Sequence, residues 1–344
     1  MLECPIPIAD YPEVTLAHGG GGTLTDKLIE TLFVAAFDNE FLRQRHDGTQ
    51  LPNAQFDWAM STDSFVVTPW QFPGGDIGKL AVCGTLNDLA SCGARPLYLS
   101  LAFILEEGFA MADLWHVVQS IAKEARAAGV SIVTGDTKVV ERGKGDGIFI
   151  NTTGLGAVEI KPGLTPSRIR NQDQIIVTGD LGRHGMTIMA QREGLNFDSD
   201  LKSDSANLWP LIELALLEGI DLHCARDLTR GGLVSATNEI AQLLTTNIQL
   251  QEAAVPISES VRGGCELLGL DPMYVACEGR MLMFVSKSQA EQCLDLLHSH
   301  PLGAGARIIG EVGNKGVAEV TLVTSLGSER YLDKFVGEQL PRIC

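Results

Sequence analysis

The chain has 344 residues, 45% of them hydrophobic, and its 43 acidic residues outnumber the 26 basic ones to give a net charge of −17. Such a surface repels nucleic acids and anionic membranes, which argues against both classes of partner. The 8 cysteines form no Cys-x-x-Cys pair, so the sequence lacks a zinc or iron–sulfur signature. No leader-like N-terminus or membrane-spanning apolar run is evident, and we expect a cytoplasmic protein of two domains.

A glycine-rich segment precedes the first predicted helix, which has helical apolar periodicity. The segment consists of His18 followed by Gly19, Gly20, Gly21 and Gly22. Backbone N–H groups of such a run, ahead of a helix, can surround phosphate groups, and a flexible linker is the alternative. Because no P-loop sequence occurs, any nucleotide must be bound by another device.

Two further positions in the first half are candidate ligands. Asp63 lies at an expected break between two extended segments, 56–60 and 65–67, where it could bind a ligand or hydrogen-bond its own turn. Asn87 and Asp88 lie inside a predicted helix. Asn and Asp disfavour helix interiors, so a ligand role would explain this pair, as would a solvated helix face.

A strand at 130–134 is expected to end before Gly135, with Asp136, Thr137 and Lys138 following it. A glycine and charged residues directly after a buried strand are typical of a site at the strand's C-terminal end. The first half thus contains aspartates on three separate elements. Their hard oxygen atoms suit Mg²⁺, which binds through few carboxylates together with substrate phosphates.

The composition turns to proline, arginine and polar residues around 161–173, which marks a boundary between two domains. The elements on both sides alternate between strands and helices, as expected for α/β domains. We therefore predict a first domain at 1–160, a second at 170–330 and a mobile tail at 331–344.

The second domain contains two further candidate segments. Residues 226–232 include Asp227 and Arg230 and end in two glycines at the start of a predicted helix. This pattern suits an anion site with one metal ligand better than a plain turn. A strand predicted at 271–276 would place Glu278 near its end, where the carboxylate could be a general base or a capping residue.

The chain ends in the sequence Pro341-Arg342-Ile343-Cys344. A terminal cysteine carries its thiol and the α-carboxylate on one α-carbon, and this neighbouring negative charge disfavours the thiolate. One interpretation is a frayed end that happens to finish in cysteine. The other is a mobile thiol used as a covalent carrier.

These motifs, taken in order, resemble the HypE family, the carbamoyl-cysteine dehydratases of NiFe-hydrogenase maturation. The resemblance covers nearly the whole chain and rests on segments 18–22, 62–64, 72–79, 87–89, 135–138, 226–232 and 341–344. It implies a two-domain α/β fold like that of aminoimidazole-ribonucleotide synthetase (PurM-like), with ATP bound between the domains. It also implies a homodimer in which N-terminal-domain strands of two subunits form a barrel.

The resemblance further implies an ATP-dependent reaction that converts a carbamoylated Cys344 into S-cyanocysteine. A HypF-type carbamoyltransferase would load the thiol, and a HypC–HypD-type scaffold complex would receive the cyanide. Glu278 would be the base, and Lys138 would stabilise the transferring charge. Mg²⁺ would be held by Asp63, Asp88, Asp136 and Asp227. ATP would be bound by these four together with His18, Gly19, Gly20, Gly21, Gly22, Thr137 and Arg230.

The chain departs from the family pattern at two positions. The family usually has proline at the position of Leu228 and asparagine at that of Cys277, directly before Glu278. A sibling ATP enzyme that makes selenophosphate or phosphorylates a small metabolite is the enzymatic alternative. A reactive cysteine near the glycine-rich segment would favour selenophosphate synthesis, but the proline-rich surroundings of Cys4 do not resemble such a site. The non-enzymatic alternative is a carrier or scaffold that displays Cys344.

Overall fold

Two β-sheets organise the chain, one of four strands in its first half and one of seven strands in its second. Among the described residues, no helix is both long enough and apolar enough to cross a membrane. The computed structural model describes residues 11–18, 23–40, 42, 55–195, 201–334, 340 and 342–344.

The four-stranded sheet has the order β1-β6-β4-β5. Strands β4 and β5 are parallel and are connected by helix α4, whereas the other two pairs are antiparallel. A short pair, β2 and β3, precedes helix α3. The elements of this half are α1 (Thr23–Leu28), a π-helical continuation (Ile29–Val34), α2 (Ala35–Phe37), β1 (Trp58–Phe65), β2 (Gln71–Phe72), β3 (Gly75–Asp76), α3 (Ile77–Ser91), β4 (Ala94–Glu106), α4 (Met111–Ala127), β5 (Ser131–Val140) and β6 (Ile148–Val158).

Among the described residues, helices cover one face of the four-stranded sheet and leave the other without helices. Alternate residues of β4, among them Leu101 and Phe103, are buried with the apolar residues of α3 and α4. The opposite face carries exposed hydrophobic side chains, including Trp58, Met60 and Ile104. An exposed apolar face of this kind is typical of a surface that another protein covers.

The seven-stranded sheet has the order β13-β12-β9-β11-β7-β10-β8 and is buried on both faces at its centre. Strand β10 is buried along its whole length, which explains its uninterrupted apolar sequence. The elements are β7 (Gln174–Val177), α5 (Arg183–Arg192), α6 (Trp209–Leu217), β8 (Leu222–Asp227), α7 (Gly232–Leu244), β9 (Thr246–Gln251), α8 (Glu259–Leu268), β10 (Met281–Val285), α9 (Ala290–His298), β11 (Arg307–Lys315), β12 (Val320–Val323) and β13 (Glu329–Tyr331).

Two strand boundaries predicted in the first half are wrong. Strand β1 runs unbroken through Asp63, which lies within a strand and not at a break. Strand β5 continues past Gly135 to Val140, so Asp136 lies inside an edge strand and not in a loop. Gly135 is needed inside the strand because a Cβ there would lie 2.3 Å from the Leu101 carbonyl oxygen of β4.

The strand predicted at 271–276 is also wrong, because this segment forms a 3-10 turn, Pro272–Tyr274. The Asp271 carboxylate accepts a hydrogen bond from the Met273 N–H at 3.0 Å and starts the turn. Proline at the first position of the turn has the φ angle that such a turn requires. The apolar run that follows is therefore buried without pairing to a neighbouring strand.

Asn87 joins the two halves of the chain. Its side-chain amide donates to the carbonyl oxygens of Ala206 at 3.0 Å and Glu278 at 3.3 Å, and its oxygen accepts from the Leu208 N–H at 2.8 Å. Asn87 is only 3% exposed. It is thus neither solvated nor free to bind a ligand: its unfavourable place in a helix is offset by three hydrogen bonds to the other domain.

Candidate active site

Carboxylates from both halves of the chain gather between the two sheets. Asp63 and Asp88 come from the first half, and Asp204, Asp227 and Glu278 come from the second. Burial raises the pKa of the Glu278 carboxyl well above its usual range, and the charges of the other four carboxylates raise it further. These groups are therefore close enough to influence one another's ionisation.

The first-half carboxylates are fixed by serines on β1. The Ser64 N–H donates to Asp63 Oδ1 at 2.8 Å, and the Ser61 hydroxyl donates to Asp88 Oδ2 at 2.5 Å. Burial raises the pKa of both carboxyl groups, and the Asp88 charge raises that of Asp63 further. Serine at 61 and aspartate at 63 share the helix-facing side of β1 because alternate strand residues point the same way.

Asp227 is the last residue of β8, and its side chain is buried. Burial raises its pKa to about 7, and the charge of Asp88 adds to this shift. The two glycines that follow have positive φ angles, +76° at Gly231 and +56° at Gly232. A Cβ on Gly231 would lie only 1.9 Å from Ser235 Oγ, so the turn requires glycine for its own backbone path.

Glu278 is held by its backbone while part of its carboxyl group is unpaired. Its N–H donates to Asp204 Oδ1 at 3.0 Å, and its carbonyl oxygen accepts from the Asn87 amide and from the Ala206 N–H at 3.4 Å. Glu278 is 3% exposed, yet its Oε1 atom has no hydrogen-bond partner within the described part of the chain. A buried, unpaired carboxyl oxygen is costly to the fold, which is typical of a group reserved for a ligand or a reaction.

Asp204 and Arg280 support Glu278 and were missed by the sequence analysis. Arg280 donates to Asp180 Oδ1 at 2.6 Å and to the Asp180 carbonyl at 2.9 Å, and its Nε lies 3.8 Å from Asp204 Oδ2. Asp204 is far from Glu278 in sequence, and only the folded chain brings the two together. The signal available in the sequence was Arg280 itself, a charged residue directly before the apolar strand β10.

The end of the chain docks beside these carboxylates. The Val66 N–H donates to a Cys344 main-chain oxygen at 3.0 Å, and Ile343 is buried in the core of the first half. Burial raises the pKa of the Cys344 thiol to about 12; the negative charges of Glu278, Asp63 and Asp227 act in the same direction. The structure thus brings Cys344 to Glu278, and a docked terminus replaces the frayed end considered above.

Asp136, Thr137 and Lys138 are not brought to this site within one chain. Asp63 and Asp136 lie on the opposite edge strands of the first sheet, three strand spacings or roughly 14 Å apart. Asp136 pairs across β4 with Ala102, so its side chain points to the face without helices. There Lys138 Nζ lies 2.8 Å from Asp136 Oδ1, and this bond is the main cause of the lowered pKa of Asp136.

The remaining candidates are His18, the glycine-rich segment and Arg230. His18 is buried, and its Nδ1 accepts from the Thr15 N–H at 3.0 Å, so it caps its own turn. The candidate glycines 19 to 22, and also Cys4 and Pro341, lie outside the described residues. Arg230 is exposed and lowers the pKa of Asp63, which brings it near the carboxylates.

The carboxylates fit a divalent cation by their chemistry, although not as a complete cage. Within the ranges that the structure describes, no three His, Cys, Asp or Glu side chains are grouped tightly enough to hold a metal ion alone. Mg²⁺ typically takes only one or two carboxylates and completes its shell with water and phosphate oxygens. Burial raises the pKa values of Asp63, Asp88 and Asp227, and a cation bound beside them would favour their charged forms.

Comparison with known proteins identifies the family. The family models of the AIR synthase related protein match at residues 47–158 for the N-terminal domain and 170–323 for the C-terminal domain. The carbamoyl dehydratase HypE of Azotobacter vinelandii is 49% identical over 331 residues, which are 96% of this chain and 97% of that protein. The chain belongs to the HypE family.

Solved HypE structures agree with this assignment. A hydrogenase maturation protein HypE in complex with ATP is 48% identical, covers 96% of this chain and 99% of its own, and superposes with a TM-score of 0.93. HypE in a HypE–HypF complex is 43% identical, covers 90% and 99%, and has a TM-score of 0.79. The resemblance drawn from the motifs and the two-domain α/β fold that it implied are therefore confirmed.

Both departures from the usual HypE pattern are accommodated by local hydrogen bonds. The Leu228 N–H donates to the Arg280 carbonyl at 3.1 Å, a bond that a proline could not make. The Cys277 sulfur accepts from the Gly182 N–H at 3.1 Å at the start of α5. Neither departure therefore leaves the loop around Glu278 without support.

Proposed function

We propose that this HypE-family chain is an ATP-dependent carbamoyl dehydratase that acts on its own C-terminal cysteine in the cytoplasm. It converts the S-carboxamide of Cys344 into S-cyanocysteine and so supplies cyanide ligands for the iron of NiFe-hydrogenase. The observation that carries the proposal is the docked terminus, because it holds the sulfur of Cys344 beside Glu278 and the aspartates. A catalytic centre to which the chain end is tethered gains the proximity that a freely diffusing substrate would lack.

The chemistry requires a leaving group and two proton transfers. The carboxamide oxygen would leave poorly as hydroxide, so the terminal phosphoryl group of ATP is transferred to it. Two protons leave the nitrogen, the C–O bond breaks, and ADP, phosphate and the thiocyanate result. Glu278 is our candidate for the base that takes a proton from nitrogen, since an acid of raised pKa accepts protons well once ionised.

The acidic cluster would hold the nucleotide through Mg²⁺, for which Asp63, Asp88 and Asp227 are the ligand candidates in one chain. Bound there, the cation would neutralise phosphate charge. Arg230, the glycine-rich segment and Lys138 would stabilise the phosphoryl group during transfer. The ATP complex of a HypE that is 48% identical supports the nucleotide binding in this proposal.

The docked environment suits a sulfur that carries no charge. The pKa of about 12 keeps a docked free thiol protonated, whereas the carbamoylated and cyanylated forms are neutral at any pH. Loading of the thiol, which needs the thiolate, is therefore better performed after the tail has left the site. We propose a HypF-type carbamoyltransferase for this step, in line with the HypE–HypF complex, and a HypC–HypD-type scaffold as the acceptor of cyanide.

A homodimer would account for the residues that one chain leaves apart. The helix-free face of the first sheet exposes Trp58, Met60 and Ile104, and both edge strands of that sheet are unpaired within the described residues. Joining β1 of one copy to β5 of another would close the sheets into a barrel and cover this face. The strand segment of a second copy that contains Asp136, Thr137 and Lys138 would then lie beside the edge strand that carries Asp63.

Mass analysis of the C-terminal peptide tests the function directly. Chain loaded with carbamoyl phosphate and a HypF-type partner should gain one carboxamide on Cys344, and addition of ATP and Mg²⁺ should remove one water from it. Cys344→Ala should show neither mass change. Carbamoylation without ATP-dependent water loss would reject the dehydratase and leave only the carrier interpretation.

A short C-terminal extension should separate docking from folding. Residues added after Cys344 would replace the carboxylate whose oxygen accepts from the Val66 N–H. We expect folding and ATP binding to remain near normal and water loss to be severely reduced, whereas the same extension at the N-terminus should be harmless. Equal water loss in the extended and native chains, measured by the same peptide masses, would contradict insertion of the chain end into a confined site.

A further inference from the structure

Two side chains of α5 contact the docked chain end. His184 Nε2 lies 2.9 Å from the Ile343 carbonyl oxygen, and the Arg192 guanidinium donates to the Arg342 carbonyl oxygen. We propose that His184 and Arg192 are positioning residues that fix how far the chain end enters and therefore where the sulfur stands. The catalytic benefit of this positioning rests on the proposed function, whereas the contacts themselves can be tested without it.

The hydrogen bonds around His184 define a single form of the ring. Ser203 Oγ accepts from the Ser205 N–H at 3.1 Å, so its own hydrogen is available for His184 Nδ1, 2.8 Å away. Nδ1 then accepts, and Nε2 carries the hydrogen that a carbonyl oxygen, which can only accept, requires. Burial lowers the pKa of His184, which keeps the ring neutral in this form.

Residues 342–344 also contact the first domain, on the side opposite α5. Arg342 Nε donates to the Val66 carbonyl at 3.1 Å, and its guanidinium lies 2.5 Å from Asp146 Oδ2. The Val66 N–H in turn binds the terminal residue. Residues 342–344 are thus fixed at both backbone and side chain, and three extended residues span only about 10 Å. A shift at either α5 contact would move the sulfur relative to Glu278 by a comparable distance.

Arg192 has a second contact that sets its orientation. Its Nε donates to the Thr68 carbonyl at 2.6 Å, so the guanidinium spans the first domain and the chain end. Burial lowers the pKa of Arg192, and the charge of Arg342 acts in the same direction. The repulsion between the two guanidinium charges is unfavourable unless carbonyl oxygens and Asp146 offset it. The docked chain end supplies one of these acceptors, the Arg342 carbonyl oxygen.

Two substitutions of His184 separate its two hydrogen bonds. Asparagine can reproduce the contact of Nδ1 with Ser203 but is too short for Ile343, whereas glutamine can place a donor near the position of Nε2. We measure the alkylation rate of Cys344 in the full-length chain by mass spectrometry of its C-terminal peptide, which distinguishes this thiol from the other seven cysteines. His298→Gln is the matched control, because His298 Nε2 contacts the Ala306 carbonyl at 2.9 Å far from the chain end.

His184→Asn should expose the thiol and raise its alkylation rate about 2- to 10-fold, the change expected when a docked segment loses one hydrogen bond. His184→Gln should stay near the wild-type rate, and His298→Gln should not change it. Equal rates in His184→Asn and His184→Gln would overturn the proposal for His184, whatever their melting temperatures. Arg192 is less buried than His184, and Arg192→Gln should raise the alkylation rate of Cys344 to a similar extent. An unchanged alkylation rate would overturn the proposal for Arg192.

A kinetic measurement then connects the position to the reaction. With the loaded chain, His184→Asn should lower the maximal rate of water loss and leave the KM for ATP unchanged, because His184 does not contact the aspartates that would bind the nucleotide. Thiol protection needs neither ATP nor a carbamoyl group. Loss of protection in His184→Asn would therefore support the positioning role even if water loss were never observed, and the proposed function alone would fail.

Discussion

Two groups of acidic side chains in this molecule have opposite electrostatic properties. Between the domains, burial raises the pKa of Asp227 to about 7 and that of Glu278 well above its usual range. On the exposed edge of the first sheet, Asp136 is paired with Lys138, and its pKa is lowered. Solvent and an adjacent cation favour the charged form, whereas exclusion of water disfavours it. The same residue type is therefore poised for chemistry in one place and simply solvated in the other, at least within a single chain.

The strongest test of this contrast is Glu278→Gln, which keeps the shape of the side chain but removes the proton acceptor. Water loss from the carbamoylated chain should fall by about 10²–10⁴, the usual contribution of a general base. Carbamoylation by the partner should continue, because it occurs in the partner's site. Peptide masses before and after ATP addition measure both stages, and a rate of water loss within a few-fold of wild type would rule out Glu278 as the base.

Asp227→Asn should stabilise the fold in a pH-dependent way. The folded chain holds a proton on Asp227 up to about pH 7, whereas the unfolded chain releases it near the ordinary value of 3.8. The stability due to this proton is complete below the lower value and is lost as the pH rises through the higher one. Asparagine does not titrate, so the free energy of unfolding of Asp227→Asn should exceed that of wild type by an amount that grows with pH. The difference should rise from near zero at about pH 4 to at most about 4 kcal/mol at about pH 8, at 1.36 kcal/mol per unit of pKa shift.

Thermal melts of wild type and Asp227→Asn across this pH range provide the measurement, with Asp136→Asn as the exposed control. ATP use should decline in Asp227→Asn despite the gain in stability. A difference in melting temperature that stays constant with pH would mean that the Asp227 carboxyl is already ionised in the folded chain at low pH.

A mixing experiment tests whether the exposed group joins the buried one in a dimer. Asp63→Asn and Asp136→Asn should each be inactive, for different reasons. If each site takes Asp63 from one copy and Asp136 from the other, re-associated 1:1 mixtures should recover about a quarter of wild-type activity, because half the dimers then contain one intact site of two. No recovery, with subunit exchange verified by mass, would leave Asp136 outside the site.

The smallest expected effect is that of Asp136→Asn on stability. The pair with Lys138 is largely exposed, and such pairs contribute about 0–1 kcal/mol. Because the pKa of Asp136 is lowered, any loss should be present near neutral pH and vanish in acid as the wild-type carboxylate becomes protonated. Chemical denaturation near neutral pH and in acid gives both values; a loss of several kcal/mol would mean that Asp136 has a structural role.

Much of the fold follows from local sequence rules. Helix α3 begins directly after Asp76, a residue type that favours helix N-termini, and Asp76 Oδ1 accepts from the Gly78 and Lys79 N–H groups at 2.8 and 2.9 Å. The apolar run of β10 is a strand, as its short length and uninterrupted apolar sequence predict. These features depend on residues that are close in sequence, and local sequence patterns therefore predict them well.

The site was harder to predict from the sequence because residues far apart in the chain meet there only in the folded protein. Asn87 was interpretable as a ligand or a solvated residue, yet its partners lie 119 to 191 positions away. Asp136 looked like a loop residue because glycine before a charged residue usually ends a strand, whereas here Gly135 serves a close approach between β4 and β5. His184 resembled any histidine in an amphipathic helix, and nothing local indicates that a terminal carbonyl reaches it.

The acidic lining also bears on the survival of the product. A thiolate beside a cyanylated sulfur could attack that sulfur, expel cyanide and leave a disulfide. Burial raises the pKa of Cys83 to about 12 and that of Cys277 well above its usual range, and the charge of Glu278 adds to both. Both of these thiols, which lie near Glu278, therefore remain protonated and are poor nucleophiles. Burial, together with the charge of Glu278, thus keeps these two thiols unreactive toward the electrophile that would form at Cys344.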